Sequence, residues 1–179
     1  MIRKTYKTYK YSDLFNICKY KEELKGIVDS KELFEEPKKY PTEKDCYVYI
    51  YLDPRGFMKQ YEIVKNVWIN RTIVYVGYGS GNRMLHKNKP SNKAEEALKD
   101  WIEQDLMPNG YEPIILIFAT GMDKYPAEWL ESNLQNRVKY IQETNLEYKS
   151  YKSPLKMFNR RIEKSTTLIY DIYGNINKN

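Results

Sequence analysis

The residues best suited to chemistry converge in one stretch, Ile73-Val74-Tyr75-Val76-Gly77-Tyr78-Gly79-Ser80-Gly81-Asn82-Arg83-Met84-Leu85-His86. β-Prone residues run into glycines at alternate positions, and an arginine and the chain's single histidine follow. The expected local structure is a strand, a tight turn and a helix start carrying polar side chains. Glycines at this spacing let backbone N–H groups approach a phosphate with no Cβ in the path, so a phosphate cradle is the first chemistry to test. The third glycine of a dinucleotide fingerprint and the Gly-Lys-Ser/Thr of a P-loop are both missing. A second candidate is an acid. After Pro126, the residues Ala127, Leu130, Leu134, Val138 and Ile141 share one helical stripe, and at about 100° per residue Glu131 falls about 60° from its centre. A carboxylate there is costly unless something pairs with it. The alternative is a stem packed at the helix edge with its head in water.

Several elements must position these groups. Residues 47–52, Tyr-Val-Tyr-Ile-Tyr-Leu, read as a buried strand that ends in Asp53-Pro54-Arg55-Gly56. Residues 57–72 are too long for a tight hairpin, and Ile63, Val64, Val67, Trp68 and Ile69 are too apolar for a free loop, so they extend the strands or form a small element of their own. Residues 72–76 then pair back antiparallel. Asn92 with Glu95 forms a capping-box-like helix start, Ala94, Ala97, Leu98, Trp101 and Leu106 its buried stripe, and Asn109-Gly110 its end. Residues 114–119, the most apolar run, are expected at the centre of a small sheet, followed by the helix that Pro126 opens. Ahead of this core, Ser12 caps a helical segment with Leu14, Ile17 and Cys18, and Leu24, Ile27 and Val28 continue it, with Pro37 and Pro41 at the boundary. The division expected is a basic, helical extension over 1–44, a core over 45–160 and a tail over 161–179.

The chain has 179 residues, 30 Lys and Arg against 24 Asp and Glu, a net charge of +6, and 18 tyrosines. That balance favours a polyanionic partner, and tyrosines among lysines suit phosphate contact with base stacking. Coding sequence rich in A and T would give the same composition. Cys18 and Cys46 are too few for a disulfide framework or a cysteine zinc site, so a reducing, cytoplasmic setting is the expectation. No apolar run approaches the roughly 20 residues of a membrane helix, and no membrane partner is expected.

Taken together, the Tyr-Val-Tyr strand, Asp53-Pro54-Arg55, the Tyr75-Val76-Gly77 strand and Gly81-Asn82-Arg83 resemble the GIY-YIG nucleases, in the branch whose first strand ends in Asp-Pro-Arg. The resemblance covers roughly residues 46–160. It implies an α+β fold with a small three-stranded mixed or antiparallel sheet and flanking helices, and a metal-dependent endonuclease acting on duplex or branched DNA in a phage, mobile-element, restriction or repair setting. By the same resemblance, Tyr49 or Tyr75 is the general base, Arg83 neutralises the phosphate and His86 joins the catalytic set. Glu131, in Leu130-Glu131-Ser132-Asn133-Leu134, holds one Mg²⁺ or Mn²⁺. Gly77, Gly79, Asn82, Lys87 and Asn159 are the expected substrate-binding or bracing residues, with Asn145 as second choice for the brace. That branch has lysine where this chain has Tyr78, and commonly four residues from arginine to histidine where this chain has three. A binding protein on the same scaffold with weakened or lost cleavage is therefore the alternative, and an interaction protein with incidental charge is the third reading.

Overall fold

The computed structural model describes residues 8–10, 28–29, 46–55, 60–64, 67–81, 83–86, 89–144 and 157–159. Among these residues the strands are β1 (Thr8–Lys10), β2 (Val28–Asp29), β3 (Cys46–Leu52), β4 (Tyr61–Val64), β5 (Val67–Ile69), β6 (Ile73–Gly79) and β7 (Ile114–Met122), and the α-helices are α1 (Lys93–Asp100) and α2 (Lys124–Thr144). The architecture is α+β. Three long strands in the order β7-β3-β6 pair antiparallel, and helices flank them. No helix among the described residues is long and apolar enough to cross a membrane.

The side-chain alternation of β3 gives the sheet two different faces. Val48, Ile50 and Leu52 join Val76, Leu116 and Phe118 beneath Ala127, Leu130, Leu134, Val138 and Ile141 of α2. Tyr47, Tyr49 and Tyr51 join Tyr75, Ile115 and Ile117 beneath Met84, Leu85, Leu98, Trp101 and Ile102. Each face buries a core of its own. Residues 114–119, expected at the centre of the sheet, lie inside it: β7 stands between β3 on one side and β1 and β2 on the other, while β3 stands between β7 and β6. β7 is so apolar because Ile115 and Ile117 enter one core while Leu116 and Phe118 enter the other.

Beside this core, β1 and β2, both within the extension expected over 1–44, pair with β7, the first antiparallel and the second parallel. Val28, expected on a helical stripe, therefore lies in the five-stranded sheet, where the outer edge of β7 needs backbone partners. Residues 12–27 and the boundary prolines lie outside the described residues, as does the tail over 161–179. The helix expected to run to Asn109 keeps α-helical pairing only to Asp100 and widens into a π-helical turn, Trp101–Leu106, before a 3-10 turn and Gly110 at φ 78°. That spacing brings Trp101 and Leu106, five residues apart, into the same core. The segment at 57–72 forms the hairpin β4–β5, packed against the α2-side core.

Asp53 and Arg55 tie the end of β3 to the π-helical turn. The Arg55 guanidinium donates from Nε and Nη2 to Asp53 at 3.0 and 3.2 Å, and from Nη1 to both Asp105 oxygens at 2.9 Å.

The outer edge of β6 is closed by amide side chains. Asn159 Oδ1 accepts from the Val76 N–H at 2.9 Å, and its Nδ2 donates to the Val76 carbonyl at 3.0 Å. Gln135 on α2 donates to the same carbonyl at 3.2 Å, and Gln142 donates to the Ile73 carbonyl at 2.8 Å while accepting from the Met157 N–H at 3.0 Å. The Phe158 N–H donates to the Val74 carbonyl at 2.7 Å. Met157 packs into the α2-side core and Phe158 into the tyrosine-side core, the alternation of a strand. Asn159→Ala removes both bonds to Val76 and should cost about 1–3 kcal/mol in urea unfolding, with faster amide exchange at Val76. An unchanged midpoint together with unchanged exchange would show that the clamp contributes nothing.

Candidate active site

Three tyrosines of β3 use their hydroxyls on the segment that follows β6. The Tyr47 hydroxyl donates to the Gly81 carbonyl at 2.8 Å and accepts from the Met84 N–H at 3.1 Å, and the Tyr51 hydroxyl donates to the Met84 carbonyl. Between them, the Tyr49 hydroxyl lies 2.8 Å from His86 Nε2. The His86 ring stands among Tyr49, Tyr51 and Tyr75 with centroids 5.8, 5.8 and 5.2 Å away. Its backbone sits at φ 47°, a left-handed conformation that costs a histidine roughly 1–2 kcal/mol and that these contacts hold in place.

The glycines of β6 serve this packing. Tyr49 faces Gly77 across the ladder, and a Cβ on Gly77 would stand 2.6 Å from Tyr49 Cζ and 2.7 Å from Tyr75 Cε1. A Cβ on Gly79 would stand 2.3 Å from Arg83 Cγ. The space expected to admit a phosphate at these two positions is thus occupied by the protein's own tyrosines and arginine stem. Arg83 opens a 3-10 turn, Arg83–Leu85, whose Met84 and Leu85 are buried. Its Nη2 pairs with Oε1 of Glu95, which is 4% exposed.

Burial dominates the electrostatics. It raises the Tyr49 phenol well above its ordinary value, and the neighbouring phenols and Glu131 add to the shift. Tyr75 is raised by burial, then by the charges of Glu131 and Glu95, against Arg83 and a hydrogen bond with Tyr49. Tyr78, on the α2 side of β6, is raised by burial, Glu128, Glu131 and Cys46, with Arg83 opposing. His86 is lowered by burial to about 4, with Glu95 raising it and Arg83 lowering it. His86 is therefore a neutral imidazole at neutral pH.

The structure brings Tyr49, Tyr75 and His86 into contact and sets Arg83 in the turn beside them. Glu131 sits half-buried on α2, at the margin of the apolar stripe, and its charge acts on Tyr49, Tyr75 and Tyr78. Asn159 braces Val76, one residue before Gly77. Asn82, Lys87 and Asn145 lie outside the described residues. Sequence reasoning missed the roles of Tyr47 and Tyr51 as ties and of Glu95 as partner to Arg83. Among the described residues no group of three or more His, Cys, Asp or Glu could hold a metal. A lone carboxylate fits a hard divalent ion that keeps most of its waters and takes oxygens from its substrate, as Mg²⁺ does.

No family model, no curated protein and no solved structure matches this chain.

Two outcomes follow from the packing. Gly77→Ala must displace Tyr49 or Tyr75, so it should destabilise by about 1–3 kcal/mol and shift the His86 ring resonances; wild-type stability and spectra would mean the rings yield freely. The second concerns pH. His86 has a pKa of about 4 folded against 6.5 ordinarily, so between these values the unfolded chain binds a proton that the folded chain does not. Its contribution is full above about pH 6.5, is lost as pH falls toward about 4, and is constant below that. Wild-type thermal stability should drop across this window by on the order of 2–3 kcal/mol more than that of His86→Gln. Parallel curves would place the ring in water.

Proposed function

We propose that this chain is a metal-dependent endonuclease of the GIY-YIG kind that hydrolyses DNA phosphodiester bonds. The observation that carries this reading is the hydrogen bond between the Tyr49 hydroxyl and a neutral His86, beside Tyr75, with Arg83 in the adjoining turn. A buried phenol is a poor base by itself, since burial holds its proton on. An imidazole at 2.8 Å changes that. In the tautomer with its proton on Nδ1, His86 Nε2 accepts the Tyr49 proton while Tyr49 takes one from the attacking water. Arg83 meets a non-bridging phosphoryl oxygen, and Glu131 would hold a divalent ion. Such an ion, when bound, supplies positive charge to the phosphoryl and leaving oxygens. The Glu131 charge, which raises all three phenols, is the charge that a cation there offsets.

The second reading is a DNA-binding protein on the same scaffold with cleavage weakened or lost. Its support is Tyr78, a phenol raised by burial, in the place where the branch carries a lysine.

Glu131→Gln keeps the side chain's shape and removes the charge a hard cation requires. It should fold, bind duplex DNA at least as tightly, and lose cleavage by orders of magnitude in a Mg²⁺-dependent plasmid-nicking assay. The same change at the exposed Glu128 should have little effect. Cleavage by Glu131→Gln at the wild-type rate would overturn the endonuclease reading, and wild-type protein that binds DNA without nicking it would establish the second. With His86 as the ultimate proton acceptor, the acid limb of kcat/KM should fall near pH 4 rather than 6.5, and Tyr49→Phe should lose more activity than Tyr75→Phe.

A further inference from the structure

We infer that Glu95 is a positioning residue for Arg83, locking one side of the guanidinium so that its other donors face a phosphate; the inference rests on the reading above. Glu95 occupies the third helical position after the cap residue Asn92, whose Oδ1 accepts from the Ala94 and Glu95 N–H groups at 3.0 Å. A glutamate in that position ordinarily turns back to the cap residue's own N–H. Here Oε2 accepts from the Ser91 N–H at 2.8 Å, and Oε1 is left for Arg83 Nη2. The carboxylate side chain is 5% exposed and fixed at both oxygens, while the arginine side chain is 35% exposed. The pair is therefore anchored from the buried side and reaches solvent from the arginine side.

Arg83 is constrained at two points. Its stem lies across Gly79, where a Cβ would meet Arg83 Cβ at 2.5 Å. Its Nη2 bonds to Glu95 and, at 3.4 Å, to Ser91 Oγ. Neither Nε nor Nη1 is bonded to any described residue, so three of the five guanidinium donors are uncommitted. An arginine held by its stem and one Nη keeps Nε and Nη1 as separately directed donors, each set to meet a phosphate oxygen. Glu95 thus couples the N-terminus of α1 to the glycine turn and sets the direction of the one described cation beside the Tyr49–His86 pair.

The test uses the full chain as wild type, Glu95→Gln, Glu95→Asp, Arg83→Gln and the Glu95→Gln/Arg83→Gln double variant. Three quantities are read: rotation of the Arg83 Nη groups by nitrogen-resolved NMR, binding of a blunt DNA duplex in EDTA over a salt series, and single-turnover cleavage with Mg²⁺. Glu95→Gln retains an oxygen for the Ser91 N–H and should fold. Arg83 Nη2 rotation should quicken, the cleavage rate should fall about ten- to a hundredfold with apparent affinity within about threefold, and no further loss should appear on the Arg83→Gln background. Glu95→Asp, which keeps the charge, should recover part of the rate and carries the test if the glutamine variant does not fold. Additive losses, or equally fast Nη2 rotation in wild type and Glu95→Gln, would overturn the positioning role. If no variant and not the wild type cleaves, while Nη2 is still locked by Glu95 and the binding loss of Arg83→Gln disappears on the Glu95→Gln background, positioning stands and the nuclease reading falls.

Discussion

The site depends on a ladder of three tyrosine hydroxyls reaching from β3 to the segment after β6. Tyr47, Tyr49 and Tyr51 are at most 3% exposed, so each ring belongs to the core, yet each hydroxyl finds a partner among Gly81, Met84 and His86. Each such bond contributes about 0.5–1.5 kcal/mol net, and an unpaired buried hydroxyl would cost more than that. The sum is comparable to the roughly 1–2 kcal/mol of left-handed backbone strain at His86. The ladder acts together with the buried Met84 and Leu85 side chains and the Arg83–Glu95 pair to hold the turn that carries Arg83 against the sheet. Gly77 and Gly79 belong to the same device, since the Tyr49 and Tyr75 rings and the Arg83 stem fill the spaces where their Cβ atoms would be.

That solution to packing creates a difficulty for chemistry. Burial stabilises the tyrosine rings and at the same time disfavours the phenolate that a general base must become, and the Glu131 charge works in the same direction. His86 responds to burial with the opposite sign, staying neutral and able to accept a proton. A buried phenol next to a buried neutral imidazole can pass on a proton without carrying a full charge itself. The low dielectric that opposes charge on each group alone also strengthens the hydrogen bond between them.

The sequence made the long strands and both α-helices legible because their patterns are local. The alternation of residues 47–52, the Asn92 cap and the stripe Ala127, Leu130, Leu134, Val138, Ile141 each follow from side-chain period, and all appear in the structure. The misses have a different origin. β1 and β2 pair along the outer edge of β7, a tertiary placement that the local pattern at Thr8–Lys10 and Val28–Asp29 does not express. Gly77 and Gly79 read as room for a ligand because a sequence cannot show which side chain will fold across them. Glu95 was visible as a cap residue, but its second oxygen was committed by a contact twelve positions back in the chain, at Arg83. Glu131 stands at the margin of its stripe, and the burial of Ser132, Asn133 and Gln135, which the stripe does not include, shows that α2 is covered on more than one side.

The position of β6 at the sheet edge ties these observations together. An edge strand presents backbone groups that would otherwise recruit another strand. Here Gln135, Gln142, Phe158 and Asn159 satisfy Ile73, Val74 and Val76, which are the strand's first part, and none of them bonds beyond Val76. The strand's last residues, from Gly77 to Gly79, are paired only on the β3 side in the contacts described. It is there that Tyr49 crosses the strand from one face, Tyr78 projects toward the α2-side core on the other, and the chain turns toward Arg83. Amide clamps on the first half and glycines on the second leave one end of an otherwise closed edge bordered by phenols, an imidazole, a guanidinium and a carboxylate. Rigidity at Val76 and close packing at Gly77 are therefore parts of one arrangement, in which the edge is sealed up to the residue where the candidate site begins.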